Sequence, residues 1–455
     1  MTKAGVRRAL AAGFAVLTAA VMPSTALGAE AHVETTPDGV KVIVFNGNPG
    51  EVNSLIVDRD PGFTDDQYQL EDQNNPVQAG PGCANKPRTP FAGTEPDIVR
   101  CDKTATTIRV NLGDGADSVR FGNLSGNVIT DVVDGGDGND RLDTSPGDSV
   151  ATGGAGDDTI DTNAGNDEIS GGADDDDILS GPGSDTVAGD DGDDTIRAHA
   201  KPDTGEIGVV PDFRAGDVNK VSGGPGKDTI VGDNGPDELL GDAGNDTIAG
   251  AGAGDTIDGG AGNDTLDEGD TPGDPNGISP GPPIGSDVIR GGPGSDTATY
   301  CTRHYSESEA KQHPLTISLD KKANDGEKGE KDNIGPSGDV ENVIGGGVTN
   351  DKITGDARAN VLTGDCVSTF TRSGNNKIYG GSGNDKLVGG NANDLLNGGK
   401  GKDGFLGNEG ADTIQAKDGA KDKSINCDGL GVKSNKDSAT VDRSDPRAAN
   451  CDKVK

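Results

Sequence analysis

Single aliphatic residues recur every nine positions along much of the chain, each set between polar neighbours and followed by a glycine-rich stretch. From Gly153 the chain reads GGAGDDTID, TNAGNDEIS, GGADDDDIL, SGPGSDTVA and GDDGDDTIR, five units without a gap. A similar unit, GGDGNDRLD, fills 135–143, and the nine residues after it keep the register but lose the motif. A second block of five units covers Gly223 to Asp267, and a last block of five covers Thr371 to Gln415. Two short pairs cover Pro282 to Thr299 and Gly346 to Thr363. Positions seven to nine of each unit form a minimal strand whose central aliphatic turns inward, because side chains alternate across a strand. Glycines at positions one, two and four suit a tight turn with positive φ, where the backbone can approach a ligand closely. Self-similarity at a fixed short period predicts a solenoid.

The remaining segments are organised around these blocks. Residues 30–134 contain candidate strands at Val40–Phe45, Ser54–Val57, Thr107–Leu112 and Ser118–Phe121, with LGDGADSV (Leu112–Val119) as a degenerate repeat. This β-rich region is expected to cap the open end of a solenoid, which would otherwise be an aggregation-prone edge. A separate binding domain is the alternative. Ala198–Ser222 and Glu268–Gly281 interrupt the repeats as Gly-, Pro- and Asp-rich loops. Residues 300–345 form a spacer between the repeats of 135–299 and those of 346–415, and 416–455 form a C-terminal cap.

Composition alone argues for disorder: 76 glycines, 78 acidic residues, 3% aromatics, no Trp and a net charge of −38 are the profile of a chain that buries too little apolar surface to fold. The nine-residue period overrides that reading. The acidity excludes nucleic acid, whose phosphates need Lys and Arg, and anionic membrane surfaces. Its natural partner is a hard cation, and calcium takes six to eight oxygen ligands. One buried aliphatic per nine residues is little return for ordering nine backbones, and stacked carboxylates repel. Folding and metal binding are therefore expected to be one event.

The unit resembles the RTX family, the haemolysin-type calcium-binding repeat G-G-x-G-x-D-x-U-x, in its secreted actinobacterial repeat-only form. The resemblance implies an all-β fold: a right-handed parallel β-roll or β-helix solenoid, two nonapeptides per 18-residue coil, with β-rich caps and several Ca²⁺ ions in the turns. By position it implies ligands at Asp140, Asp158, Asp167, Asp176, Asp185 and Asp194, and in the second block at Asp228, Asp237, Asp246, Asp255 and Asp264. The short pairs add Asp287, Asp296 and Asp351, and the last block Asp385, Asp394, Asp403 and Asp412. Family turns also donate main-chain carbonyls, which map to Gly154, Gly156, Gly224, Gly226, Gly381 and Gly383. Asn360 and Asn376 stand where the motif has Asp and predict weaker sites or none. In the spacer, Asp325, Glu327, Glu330 and Asp332 are candidates for another cation, partly neutralised by Lys321, Lys322, Lys328 and Lys331.

Residues 1–29 read as an export signal, with Lys3, Arg7 and Arg8 before the apolar run Ala9–Val21. No stretch approaches the roughly 18 apolar residues of a membrane span. Six cysteines fit an oxidising compartment, and the expected pairing is between nearest neighbours: Cys83 with Cys101, Cys301 with Cys366, Cys427 with Cys451. No catalytic site is legible. GISPG (277–281) matches a nucleophile elbow, but Pro275 before it and Pro282-Pro283 after it exclude the strand-to-helix turn an elbow needs. His32, His199, His304 and His313 belong to no metal-protease motif. The expectation is a secreted, non-enzymatic calcium-binding solenoid with a structural or interaction role and an unidentified cell-surface or matrix partner. The alternative is an adhesin or enzyme whose active part, residues 30–134, is displayed on a calcium-binding stalk; a disordered acidic calcium buffer is a third class.

Overall fold

The computed structural model describes residues 29–59, 67–86, 98–122, 124, 130–198, 217–269, 285–301, 313–347, 349–366, 374–429 and 436–455. The export signal up to residue 28, most of both loop insertions, the GISPG stretch, His199 and His304 lie outside these residues.

Among the described residues the regular structure is strand throughout. Successive nonapeptides alternate between two sheets, and within a sheet each strand pairs in parallel with the one two units later. Arg141–Asp143 pairs with Thr159–Asp161, which pairs with Asp177–Leu179, so Leu142, Ile160 and Ile178 stack directly. On the opposite face Ser149–Ala155, Glu168–Ala173 and Thr186–Asp191 stack in the same way. One coil is thus two nonapeptides. Insertions leave the register intact: Ala188 pairs with Ser222 across the first, and Leu266 with Ala298 across the second.

One sheet runs through both repeat regions. Thr297–Thr299 pairs with Asn342–Ile344, and that strand pairs with Val361–Thr363 and onward to Ser424–Asn426. The opposite face changes hands at the spacer. Its first sheet ends at Asn333–Ile334, and another begins at Thr316–Ser318 and continues through Lys352–Thr354 to Lys453–Val454. The repeat blocks therefore join in one array.

The N-terminal region contributes coils as well as a lid. Lys41–Asn46 and Ser54–Arg59 pair in parallel with Thr107–Asp114 and Ser118–Phe121. Antiparallel strands then close the end: Glu30–Thr35 on one face, and Tyr68–Asp72, Cys83–Lys86 and Ile98–Cys101 on the other. All three expected disulfides are present: Cys83–Cys101, Cys301–Cys366 and Cys427–Cys451.

The core is a narrow strip of position-eight side chains from two facing sheets. Ile160, Ile178, Ile196 and Ile230 line one wall and Ile169, Val187, Val221 and Leu239 the other, all buried. Position seven lies outside, as at Thr186 and Thr229. Truncation of Ile178 to Ala is expected to cost about 2–5 kcal/mol of calcium-loaded stability, whereas Thr186→Ala should change it by less than about 0.5. Chemical denaturation of the calcium-loaded protein reads both, and equal effects would contradict the assignment of inner and outer rows.

Candidate metal centre

Position six is where the chain leaves its turn and enters the strand, so its side chain falls at the corner of the coil. Every position-six aspartate expected as a ligand is buried there. The reason is local: one carboxylate oxygen accepts a main-chain N–H from the position-six residue one coil earlier. On the first edge, Asp140 donates to Asp158 Oδ1 at 2.7 Å, Asp158 to Asp176 at 2.8 Å, and Asp176 to Asp194 at 2.9 Å. The series crosses both insertions through Asp228, Asp246, Asp264 and Asp296, and it resumes through Asp385 and Asp403. On the second edge Asp167, Asp185, Asp237, Asp255 and Asp287 form an equivalent ladder, interrupted by Asn219. Asp351, Asn376, Asp394 and Asp412 continue it after the spacer.

The second oxygen is different. Oδ2 of Asp140, Asp158, Asp176, Asp194, Asp228, Asp246, Asp264, Asp296, Asp385 and Asp412 is buried and has no hydrogen-bond donor. A buried charged oxygen without a donor is costly unless a cation completes it. Beside it lies a gap that only glycine leaves open. A Cβ on Gly153 would lie 2.2 Å from Asp158 Oδ2 and 2.5 Å from the Gly171 carbonyl oxygen. On Gly189 it would lie 2.2 Å from Asp194 Oδ2 and 2.6 Å from Gly223 O, and on Gly380 2.4 Å from Asp385 Oδ2 and 2.5 Å from Gly398 O. Each such corner offers a carboxylate oxygen of one coil and a carbonyl oxygen of the next.

Positions two and four form the outer part of the turn. Gly154 and Gly156 have φ of 125° and 122°, and Gly224, Gly226, Gly381 and Gly383 are likewise positive. A Cβ on Gly154 would sit 1.8 Å from Gly136 O, so the stacked glycine carbonyls face the next coil. The donors are all hard oxygens from carboxylates and carbonyls, the set calcium prefers; the residues fit the ion.

Burial pushes these carboxyls well above the ordinary range. Asp140, Asp176 and Asp228 rise to about 7, and Asp158, Asp194 and Asp246 to about 6, with neighbouring carboxylates adding to the desolvation. Asp394 rises to about 8 for the same reasons. At Asp167 and Asp185 the hydroxyls of Thr162 and Ser180 offset part of the rise.

Two expected ligands are placed differently. Asp237 Oδ2 accepts the Asp233 N–H at 2.9 Å, and Asp351 Oδ2 accepts the Gly346 N–H at 2.9 Å, so both oxygens of each carboxylate are engaged. Asn360 and Asn376 hold their ladder positions as amides. The ladders also include Asp117 of the degenerate repeat and Asp332, expected only as a spacer ligand, together with Asn219, Glu341, Asp422 and Asp437, which the motif does not mark. Asp332-Asn333-Ile334 and Asp437-Ser438-Ala439 keep the D-x-U spacing, the signal that would have found them.

The spacer acids divide. Asp325 accepts N–H groups from Ser318 and Ile334, and Glu327 faces His313 Nδ1 at 2.8 Å. Glu330 and Asp332 meet Glu268, one carboxylate oxygen from each lying within 4.8 Å of the others.

The model of the RTX calcium-binding nonapeptide repeat matches residues 130–151, 152–187, 179–200, 222–254, 251–267, 284–299 and 370–405. It leaves the consecutive coils carrying Asn342–Ile344 and Val361–Thr363 unmatched at those strands. No curated protein matches the chain.

The raised carboxyls give a sign that can be tested. In the metal-free protein the folded corners bind protons up to about pH 6–7, while unfolded aspartates lose theirs near 3.9. Between those values the folded state holds more protons, so its stability rises as pH falls. Metal-free protein should gain β-sheet circular dichroism between pH 8 and 5.5; a loss of signal over that range would contradict the geometry.

Proposed function

Because the chain belongs to the RTX calcium-binding repeat proteins, we propose that it is an exported, non-enzymatic solenoid that folds when its coil corners take up calcium outside the cell. The observation that carries this reading is the recurring pair of a buried, donor-less Asp Oδ2 and an adjoining glycine gap lined by the next coil's carbonyl. The Asp Oδ2 of one coil and the glycine carbonyl of the next would hold the ion, whose charge would offset the repulsion between stacked carboxylates. Asp140, Asp158, Asp176, Asp194, Asp228, Asp246, Asp264, Asp296, Asp385 and Asp412 are the strongest ligands in this reading, and Asp167, Asp185, Asp255, Asp287, Asp394 and Asp403 occupy equivalent corners.

Export is supported by the N-terminal signal pattern and by three disulfides, which persist in oxidising compartments. Extracellular calcium modules work at about 10⁻⁴–10⁻³ M, so low cytosolic calcium would keep the chain unfolded until it leaves. The parallel pairing of Lys41–Asn46 with Thr107–Asp114 favours a capping role for residues 30–134 over a displayed active domain.

Chelation of purified mature protein with EGTA should abolish its β-sheet circular dichroism, and millimolar calcium should restore it cooperatively. Magnesium should not substitute, since it demands octahedral geometry and sheds water reluctantly. An unchanged spectrum in chelator would overturn the reading.

A further inference from the structure

The corner between Asp296 and Asp385 on the first edge is built from other residues. Asp296 donates its N–H to Glu341 Oε2 at 3.1 Å rather than to an aspartate. The following turn reads GDARANVLT (355–363), which puts Asp356, Arg358 and Asn360 where the repeat has Gly, Gly and Asp. The Arg358 guanidinium contacts Glu341 Oε1, Asp356 Oδ2 at 2.8 Å and the Val340 carbonyl oxygen at 2.5 Å. It therefore gathers two carboxylates from consecutive turns and a main-chain carbonyl, the donor classes that the other corners offer to an ion. Asn360 completes the closure: its Oδ1 accepts from Asp356 N at 2.9 Å and its Nδ2 donates to Glu341 O at 2.9 Å.

The second edge is closed over the same stretch. Asp351 receives two N–H groups, and the Asn376 amide donates to Asp365 Oδ1 at 2.9 Å. The repeat model matches neither the Glu341 turn nor the Arg358 turn, and the Cys301–Cys366 disulfide ties the segment after Val361–Thr363 to the one after Thr297–Thr299.

We propose that the consecutive turns of Glu341 and Arg358, with the second-edge corners at Asp351 and Asn376, form a metal-free seam in which Arg358 takes the place of a calcium ion, dividing the array into two separately loaded stretches. This inference rests on the calcium reading of the other corners. A guanidinium stays charged at all relevant pH and cannot dissociate, so the seam is closed at any calcium concentration. It also sits where the spacer hands one face from the first sheet to the next.

The test compares full-length wild type with Arg358→Gln and with Arg358→Gly/Asn360→Asp, which restores the repeat consensus at positions four and six. Calcium per chain is counted by native mass spectrometry, and hydrogen exchange is followed on peptides covering 342–363. At saturating calcium, Arg358→Gln should raise exchange there at least tenfold without changing the ion count. The double variant should take up one further ion and regain protection that depends on calcium. Loss of an ion from Arg358→Gln, unchanged exchange in it, or no added ion in the double variant would each overturn the proposal. Should Arg358→Gln fail to fold, the ion count of the double variant decides. Failure of the calcium reading itself looks different: wild type would bind no ion, and EGTA would leave exchange unchanged along the whole chain.

Discussion

A stacked aspartate with only half of its carboxylate satisfied is the constraint on which the rest of this structure depends. Oδ1 locks each coil to its neighbour through the N–H of the residue one coil earlier, as between Asp140 and Asp158. That bond turns the side chain inward and buries it, which leaves Oδ2 facing a glycine gap away from water. Register and the demand for a cation thus come from one residue. The coil cannot be stacked without burying the charge, and the buried charge asks for a cation. A thin core of one aliphatic per nonapeptide is then sufficient, because the corners rather than the core carry the specificity of stacking.

Much of this is legible in the sequence. The nine-residue alternation located the strands, the inner row from Leu142 to Leu266, and the corner acids, since all three follow from local geometry repeated at fixed spacing. What escaped were corners whose chemistry departs from the motif while their place in the ladder does not. Asn219 lies 18 residues before Asp237 and accepts from Asp185, yet the turn before it falls in an insertion. Asn53 heads the first edge by donating to Asp117 Oδ1 at 2.5 Å, but its turn carries no repeat signature. Residues 41–59 consequently read as cap alone, although they also form the first coil.

The fate of Oδ2 was not legible either. Asp158 and Asp237 are indistinguishable by position, and only the local turn decides whether a main-chain N–H reaches the second oxygen. Asp237 after the first insertion and Asp351, Asn360 and Asn376 after the spacer are closed by protein groups, whereas Asp228 and Asp296, each the first of its edge after an insertion, keep an open Oδ2.

Crystals of the mature protein grown in calcium, with anomalous differences collected for the ion or for a lanthanide in its place, test the central claim most directly. Peaks are expected along both coil edges, within about 2.3–2.6 Å of oxygens such as Asp158 Oδ2 and Gly171 O. A folded solenoid whose open corners carry no anomalous peak at millimolar calcium would contradict it.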